Sequence, residues 1–189
     1  YGLYKDLRLV NFLSNHDVTR IRSKLTDDRH IYPAHIVLLT APGIPCLYYG
    51  DEIGLTGRKE DGDTTLRRPM PAVDEWPEHA GDLLLEVGRL VGLRNAHPVF
   101  SQGRYASLYG QGPLFAFLRA SQRQIAIVAV NAGGEVASLT LPVAEQGVVD
   151  GTTFGDALNP HLPPVTIQNG HAIVGDIPPN WGRVLVVSW

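Results

Sequence analysis

Two short apolar runs, Leu7–Leu13 and Ile44–Tyr49, flank a segment with helical spacing. Both runs are mostly apolar without strict alternation, which predicts strands buried on both faces, as in a parallel sheet. The helical segment begins after Asp27, which can cap it, and stops at Pro42-Gly43. The order strand, helix, strand predicts a parallel βαβ unit, with Cys46 as a small core residue of the second strand.

Polar residues follow both predicted strands. Asn15, His16 and Asp17 come after the first strand, and Asp51 and Glu52 come after the second. Parallel α/β folds bind ligands at the carboxyl ends of their strands, so these residues are candidates for a binding site. An alternative remains open, in which Asn15 and Asp17 only form an Asx turn and cap the segment that follows.

The periodicity disappears over residues 54–78, where charges, glycine and proline concentrate. A connection of this length favours a functional loop. Within it, Asp63 and Arg67 are spaced so that they could bracket the hydroxyl groups of a ligand, or could equally form a salt bridge inside the loop. The amphipathic pattern of residues 83–91 then predicts a helix that ends near Arg94–Pro98.

The second half of the chain changes character to short β-like runs separated by glycine, proline and asparagine. Asn169-Gly170 between two such runs is a specific hairpin signal. We therefore predict an antiparallel β-sandwich from about residue 99, and two domains, 1–98 and 99–189. The predicted strands cover residues 114–119, 124–131, 136–141, 165–168, 171–174 and 183–187.

Composition narrows the classes of partner. The chain has 189 residues and a formal net charge of −3 with no long run of one sign, which argues against nucleic acid and anionic membrane surfaces. No apolar stretch reaches the roughly 18 residues that span a bilayer, which predicts a soluble protein. A single cysteine excludes an intrachain disulfide and leaves the compartment open, with a cytoplasmic location favoured over secretion. The absence of an initiator Met and the start inside a pattern lead us to expect a fragment or a processed product.

The sequence lacks the motifs of several common metal, cofactor and catalytic sites. The seven histidines never pair at i, i+4, so a helical zinc site is not expected. Gly110-Gln111-Gly112 lacks the third glycine and the following helix of a dinucleotide fingerprint. No serine lies in a Gly-x-Ser-x-Gly setting.

Three segments resemble the α-amylase family of glycoside hydrolases, glycoside hydrolase family 13. Phe12–Asp17 resembles the family's fourth conserved region, at the end of the seventh strand of its (β/α)₈ TIM barrel. Gly43–Gly54 is similar to the eighth strand and the turn after it. The acidic loop that ends in Arg67–Pro71 is similar to a loop of neopullulanases and cyclomaltodextrinases. The resemblance implies an α/β plus all-β chain: the last two βα units of a TIM barrel, then a C-terminal antiparallel β-sandwich.

The resemblance assigns roles to individual residues. Asp17 matches the carboxylate that stabilises the transition state, since glycosidic cleavage passes through an oxocarbenium-like state. His16 matches a histidine that donates a hydrogen bond to a sugar hydroxyl, and Asn15 belongs to the same substrate-binding motif. Asp63 and Arg67 resemble a pair that contacts the neighbouring sugar. We expect Asp51 and Glu52 to organise the turn after the second strand rather than to act in catalysis.

The family's nucleophilic aspartate and acid/base glutamate lie upstream of the matched motifs. Retaining chemistry needs those two carboxyl groups about 5–5.5 Å apart, and a complete barrel needs about 250 residues. We therefore expect the upstream segment of the same barrel to be a partner, and the chain alone to be inactive. No metal or cofactor is expected in the chain, and a calcium site is possible in the upstream part.

The implied function is hydrolysis or transfer of α-glucosidic bonds in maltodextrins or starch-like glucans, with retention. Two alternatives stay open: a carbohydrate-binding or structural module without activity, and an isomerase of the same family such as trehalose synthase. Product analysis on maltose distinguishes the isomerase, which yields mainly trehalose, from a hydrolase, which yields glucose.

Overall fold

The structure, a computed structural model, describes residues 7–189 and contains two compact units. The first unit contains the described residues up to Leu39 together with Gly43–Val91, and the second contains Thr40–Pro42 and Gly92–Trp189. The first unit is α/β and the second is built mainly from antiparallel strands. The domain boundary between residues 98 and 99 stays a prediction.

A parallel strand pair forms the centre of the first unit. β1 (Val10–Phe12) pairs with β2 (Ile44–Cys46), so that Val10 lies opposite Ile44. Between the strands lie α1 (Ile21–Lys24) and α2 (Ile31–Thr40), which confirms the predicted strand–helix–strand order. Both strands are shorter than the predicted runs of residues 7–13 and 44–49.

The prediction that these strands are buried on both faces is wrong for the described chain. Val10 is 57% exposed and Ile44 is 50% exposed. Cys46 is also exposed, so the prediction of a core cysteine is wrong as well. Within residues 7–189 each strand has only the other as a partner, so the outer edge of each strand is unpaired.

The helices of the first unit follow their sequence signals. The Asp27 carboxylate accepts a hydrogen bond from the Arg29 amide at 2.9 Å, so it caps the short 3₁₀ turn that leads into α2. Residues 54–78 form a long connection that contains one short helix, α3 (Asp63–Leu66), and isolated 3₁₀ turns. The predicted amphipathic helix is confirmed as α4 (Ala80–Ala96), which buries Leu83, Val87 and Leu90.

In the second unit, α5 (Val99–Gln102) precedes eight strands. Six of these form one sheet in the order β3-β4-β5-β10-β7-β8, and β6 pairs with β9 in a separate two-stranded sheet. The strands are β3 (Arg104–Gln111), β4 (Leu114–Ala120), β5 (Gln124–Asn131), β6 (Ala137–Pro142), β7 (Thr153–Asp156), β8 (Val165–Thr166), β9 (His171–Ile177) and β10 (Trp181–Ser188).

One hydrophobic core joins the two sheets, as expected for a β-sandwich. Leu118 on β4, Ile127 on β5 and Leu185 on β10 belong to the same buried cluster as Leu141 on β6 and Val174 on β9. This arrangement agrees with the predicted all-β second half.

Two strands were not predicted from the sequence. β3 is an edge strand with a register shift between Ser107 and Tyr109, so its side chains do not alternate cleanly. β7 contains Gly155 and is preceded by Gly151, and glycine next to so short an apolar run indicates a loop rather than a strand.

Candidate active site

The loop after β1 and the short helix α3 bring four charged or polar side chains together. An Nη2 atom of Arg67 lies 3.0 Å from Oδ1 of Asp17 and 3.2 Å from Oδ2 of Asp63. Nε2 of His16 lies 3.1 Å from the other carboxylate oxygen of Asp17. Arg67 also donates from Nε to the backbone carbonyl of His16 at 3.2 Å. Residues separated by some fifty positions in sequence thus form one cluster, which we call the Asp17 cluster.

The Asp17 cluster is open to solvent. The side chains of His16 and Asp17 are 59% and 58% exposed, so a ligand can reach both. Each oxygen of the Asp17 carboxylate has one partner, because Arg67 contacts Oδ1 and His16 lies beside Oδ2. These contacts hold an anion at a defined place on the surface.

Asn15 has a different role from its neighbours. Its side-chain oxygen accepts a hydrogen bond from the Asp17 amide at 2.8 Å. This is the Asx turn that the sequence left open as an alternative. The turn fixes the backbone that carries His16 and Asp17, whereas within residues 7–189 no hydrogen bond joins the Asn15 side chain to another side chain of the Asp17 cluster. Its assignment as a substrate-binding residue stays a prediction.

Two cationic side chains contact the Asp63 carboxylate and stabilise it as an anion. Lys59 donates to its Oδ1 at 2.9 Å, and Arg67 lies on its Oδ2. The hydrogen bond from Lys59 and the charges of Arg67 and Lys59 lower the pKa of Asp63 below its usual value. Asp63 is therefore ionised at neutral pH and accepts hydrogen bonds, but it has no proton to give.

A buried arginine positions the backbone around the cluster. Arg20 is wholly buried, and its guanidinium donates to the carbonyl oxygens of Tyr49 and Leu66, each at 2.8 Å. It also forms a 3.3 Å ion pair with Asp51, whose side chain is 2% exposed. Leu66 precedes Arg67 directly, so Arg20 fixes the segment from which Arg67 reaches Asp17.

Two tyrosines complete this support. The Arg20 guanidinium lies over the ring of Tyr48, 4.5 Å from its centroid. The Tyr48 hydroxyl donates to the Leu66 carbonyl at 3.2 Å, and the Tyr49 hydroxyl donates to the Arg68 carbonyl at 2.8 Å. The residues that follow β2 are thus tied to the segment that carries the cluster.

Asp51 organises the turn after β2, as expected from the sequence. Burial raises the pKa of Asp51 to about 6, although hydrogen bonding to Ser14 and the charge of Arg20 act in the opposite direction. A carboxyl group with a raised pKa is a candidate proton donor. Here its burial and its ion pair with Arg20 keep it away from any ligand at the surface.

The structure thus brings four of the five residues predicted for the site into direct contact: His16, Asp17, Asp63 and Arg67. Their functional roles stay predictions. The sequence analysis did not identify Arg20, Tyr48 and Tyr49, whose side chains donate hydrogen bonds to the backbone around the cluster. Tyr48 and Tyr49 lie inside the Gly43–Gly54 motif and Arg20 follows the Phe12–Asp17 motif, but nothing in the sequence indicated that Arg20 is buried.

The described residues show no metal centre. Within residues 7–189, no group of three or more His, Cys, Asp or Glu side chains is close enough to hold a metal ion. Nor does that part of the chain contain a helix long and apolar enough to cross a membrane.

The sequence is similar to a known catalytic-domain family and to known enzymes. Residues 3–82 match the α-amylase catalytic domain family. The chain is 32% identical over 153 residues to neopullulanase 2 of Thermoactinomyces vulgaris, an alignment that covers 79% of this chain and 25% of that protein. It is 29% identical over 122 residues to the cyclomaltodextrin glucanotransferase of Niallia circulans, covering 65% of this chain and 16% of the relative. The chain thus spans a quarter or less of the length of these relatives.

The fold is similar to that of a solved α-amylase. The crystal structure of an Anoxybacillus α-amylase superimposes with a TM-score of 0.77 at 23% identity, covering 95% of this chain and 38% of that one. The Asp17 cluster and the support around Arg20 lie within the residues that match the catalytic-domain family. Through residues 3–82, the chain therefore belongs to the α-amylase family.

Proposed function

We propose that this chain supplies part of the active centre of a retaining α-glucosidic-bond hydrolase or transglycosylase that acts on maltodextrins or starch-like glucans. Asp17 is the carboxylate that stabilises the transition state. His16, Arg67 and Asp63 bind the sugars on either side of the scissile bond. The names of the relatives, which include a neopullulanase and a cyclomaltodextrin glucanotransferase, support this substrate class.

The observation that carries the proposal is the pairing of Asp17 with Arg67 and His16. Positive charge develops on the sugar ring during glycosidic cleavage, and a fixed anion favours that state over the neutral ground state. Asp17 is such an anion, exposed to a ligand and oriented by Arg67 at 3.0 Å. The imidazole N–H of His16 can donate to a sugar hydroxyl at the same place.

Neither Asp63 nor the nearby Asp51 can act as the acid that protonates the leaving group. Asp63 is ionised, because the pKa of Asp63 is lowered by Lys59 and Arg67. Asp51 has a raised pKa but is buried against Arg20. A retaining mechanism also needs a nucleophile and an acid/base group about 5–5.5 Å apart. We propose that the upstream segment of the same barrel provides both groups.

The open strand pair supports this partnership. β1 and β2 expose apolar side chains, including Val10, Phe12 and Ile44. Two parallel strands with exposed faces need further strands or helices to cover them. We propose that β1 and β2 are strands seven and eight of a (β/α)₈ barrel that the upstream segment completes.

The experiment that tests the role of Asp17 uses the protein reconstituted with the upstream barrel segment. We expect Asp17→Asn to lower kcat on maltotriose by at least 10²–10³-fold, with a much smaller change in KM, because an interaction made in the transition state is lost. The matched control is Asp74→Asn, an exposed aspartate outside the Asp17 cluster, which should leave both constants unchanged. If Asp17→Asn retains most of the activity, the role given to Asp17 is wrong.

Product analysis on maltose separates the reaction types. A hydrolase yields glucose, a transglycosylase yields longer oligosaccharides as well, and an isomerase such as trehalose synthase yields mainly trehalose. A reconstituted protein that binds maltodextrin but turns over none of it would instead identify a carbohydrate-binding module.

A further inference from the structure

A concave site lies beside the segment that carries Arg67. It is an open pocket of about 680 Å³ in the first unit, formed between α1 and the connection 56–68. We call it the arginine pocket. Its lining contains three arginines, one carboxylate and several hydroxyl groups: Arg22, Ser23, Leu25, Thr56, Gly57, Arg58, Asp61, Thr64, Thr65 and Arg68.

We propose that the arginine pocket binds a compact oxyanion, either free phosphate or the phosphate group of an anionic sugar. Guanidinium groups match the geometry of such an anion better than any other side chain does. The volume of the pocket is within the range of small-molecule sites, so it has room for the sugar as well as for the anion.

The inference depends on the Arg68 guanidinium, which has no partner within the described residues. Its side chain is half-buried, its Nε is fully buried, and within residues 7–189 the guanidinium has no hydrogen bond or ion pair. Nε is also unpartnered in the buried Arg20 and Arg119, but the terminal nitrogens of those two residues donate to backbone carbonyls. A partly buried cation without any acceptor is costly, and an anion in the pocket would remove that cost.

The other polar groups of the lining are mostly donors. Arg58 has only a 3.6 Å contact with Glu60, and both side chains are more than half exposed, so Arg58 can turn to a ligand. Ser23 accepts a hydrogen bond from the Gly57 amide at 2.9 Å and still has its O–H to donate. No hydrogen bond occupies the Thr64 hydroxyl within the described chain.

The carboxylates at the pocket are Asp61, in the lining, and the partners of two lining arginines, Asp28 beside Arg22 and Glu60 beside Arg58. Asp61 is the one carboxylate that lines the pocket, so the lining residues carry three positive charges and one negative charge. Asp28, which lies outside the lining, is paired with Arg22 at 2.7 Å. Arg22 therefore contributes little to an incoming anion, and we assign the binding to Arg58 and Arg68.

The arginine pocket is distinct from the Asp17 cluster although the two share a segment. Arg67 extends to Asp17, whereas the adjacent Arg68 lines the pocket. The inference does not depend on the proposed hydrolase function, because binding at Arg68 requires no catalysis.

The test is a calorimetric titration of the complete protein that carries this chain, at constant ionic strength because salt screens such contacts. The probes are inorganic phosphate, glucose 6-phosphate and glucose. We expect one saturable site for glucose 6-phosphate, and a dissociation constant at least tenfold higher for Arg68→Gln and for Arg58→Gln. Arg89→Gln removes an exposed arginine from α4, outside the pocket, and should change nothing.

The three probes distinguish the sources of the anion. Binding of both phosphate and glucose 6-phosphate supports a site for the oxyanion itself, and binding of glucose 6-phosphate alone supports an anionic sugar. The proposal is overturned if neither anion binds, if glucose binds as tightly as glucose 6-phosphate, or if binding survives unchanged in both pocket variants. Arg58 is exposed and makes no hydrogen bond through its side chain, so Arg58→Gln remains informative even if Arg68→Gln disturbs the fold.

Discussion

At the scale of single residues, Arg20 determines where the Asp17 cluster lies. Its guanidinium is the common donor for the Tyr49 and Leu66 carbonyls and the ion-pair partner of Asp51. Of these partners, the Asp51 carboxylate and Leu66 are buried. Removing it would leave Asp51 as an uncompensated buried group.

We expect Arg20→Leu to lower the free energy of unfolding by about 3–5 kcal/mol, the usual cost of breaking a buried ion pair from one side. Urea-induced unfolding followed by circular dichroism measures this change. Arg29→Leu is the matched control, because Arg29 forms an ion pair with Asp27 at the surface and its loss should cost about 1 kcal/mol or less.

The double variant Arg20→Leu/Asp51→Leu tests the physical reason. If an unpaired Asp51 carboxylate causes the loss, removing both partners should recover part of the free energy that the single variant loses. Equal losses in Arg20→Leu and Arg29→Leu would show that Arg20 has no special structural role.

The sequence indicated the residues of the Asp17 cluster but not the residues that support them. His16, Asp17, Asp63 and Arg67 belong to motifs, and the structure brings them into contact. Arg20 could not be predicted because its role depends on carbonyl groups 29 and 46 positions away. For Asn15, the structure contains the hydrogen bond of the Asx turn, which the sequence offered as the alternative to a substrate-binding role.

At the scale of elements, local signals predicted turns better than strand partners. Asn169 and Gly170 both have positive φ, 51° and 74°, as a type I′ turn requires. The turn is confirmed, and Gln168 pairs with His171 across it. Beyond this bridge the two strands have different partners, because β8 pairs with β7 and β9 pairs with β6. The pairing of strands depends on contacts remote in sequence, and a local hairpin signal contains no information about them.

We expect Gly170→Ala to destabilise the second unit by about 1–2 kcal/mol, the cost of a left-handed conformation for a residue with a Cβ. The added Cβ would also approach the Cβ of Ala144 to 2.9 Å. Thermal and urea unfolding measure the change. Gly134→Ala is the control, since its Cβ would meet no atom within 4 Å, and it should be neutral or slightly stabilising. A neutral Gly170→Ala would contradict the turn geometry.

At the scale of the whole molecule, the two units differ in how well they cover their apolar residues. In the second unit β5 is buried from Ile125 to Asn131, because one face packs in the sandwich and α5 contacts the strand. In the first unit, β1 and β2 expose Val10, Phe12 and Ile44. The apolar sequence of β1 predicted a buried strand, and within residues 7–189 this is wrong, because Val10 and Phe12 are exposed.

We expect this open face to be the surface that the proposed upstream barrel segment covers. The substitution Val10→Asp should cost the isolated chain little, because Val10 is 57% exposed. In the assembled barrel it should weaken association with the upstream segment by more than 100-fold, since a buried valine contributes about 1.5–3 kcal/mol and an unpaired buried carboxylate costs more.

Fluorescence anisotropy of the labelled upstream segment measures this association. The matched control is Val149→Asp, which introduces the same charge at a valine that is 69% exposed in the second unit and should leave the affinity unchanged. Equal weakening by both substitutions would indicate a general effect of charge. Unchanged affinity with Val10→Asp would mean that the β1 face is not the assembly surface, and β1 could then not be an interior strand of the proposed barrel.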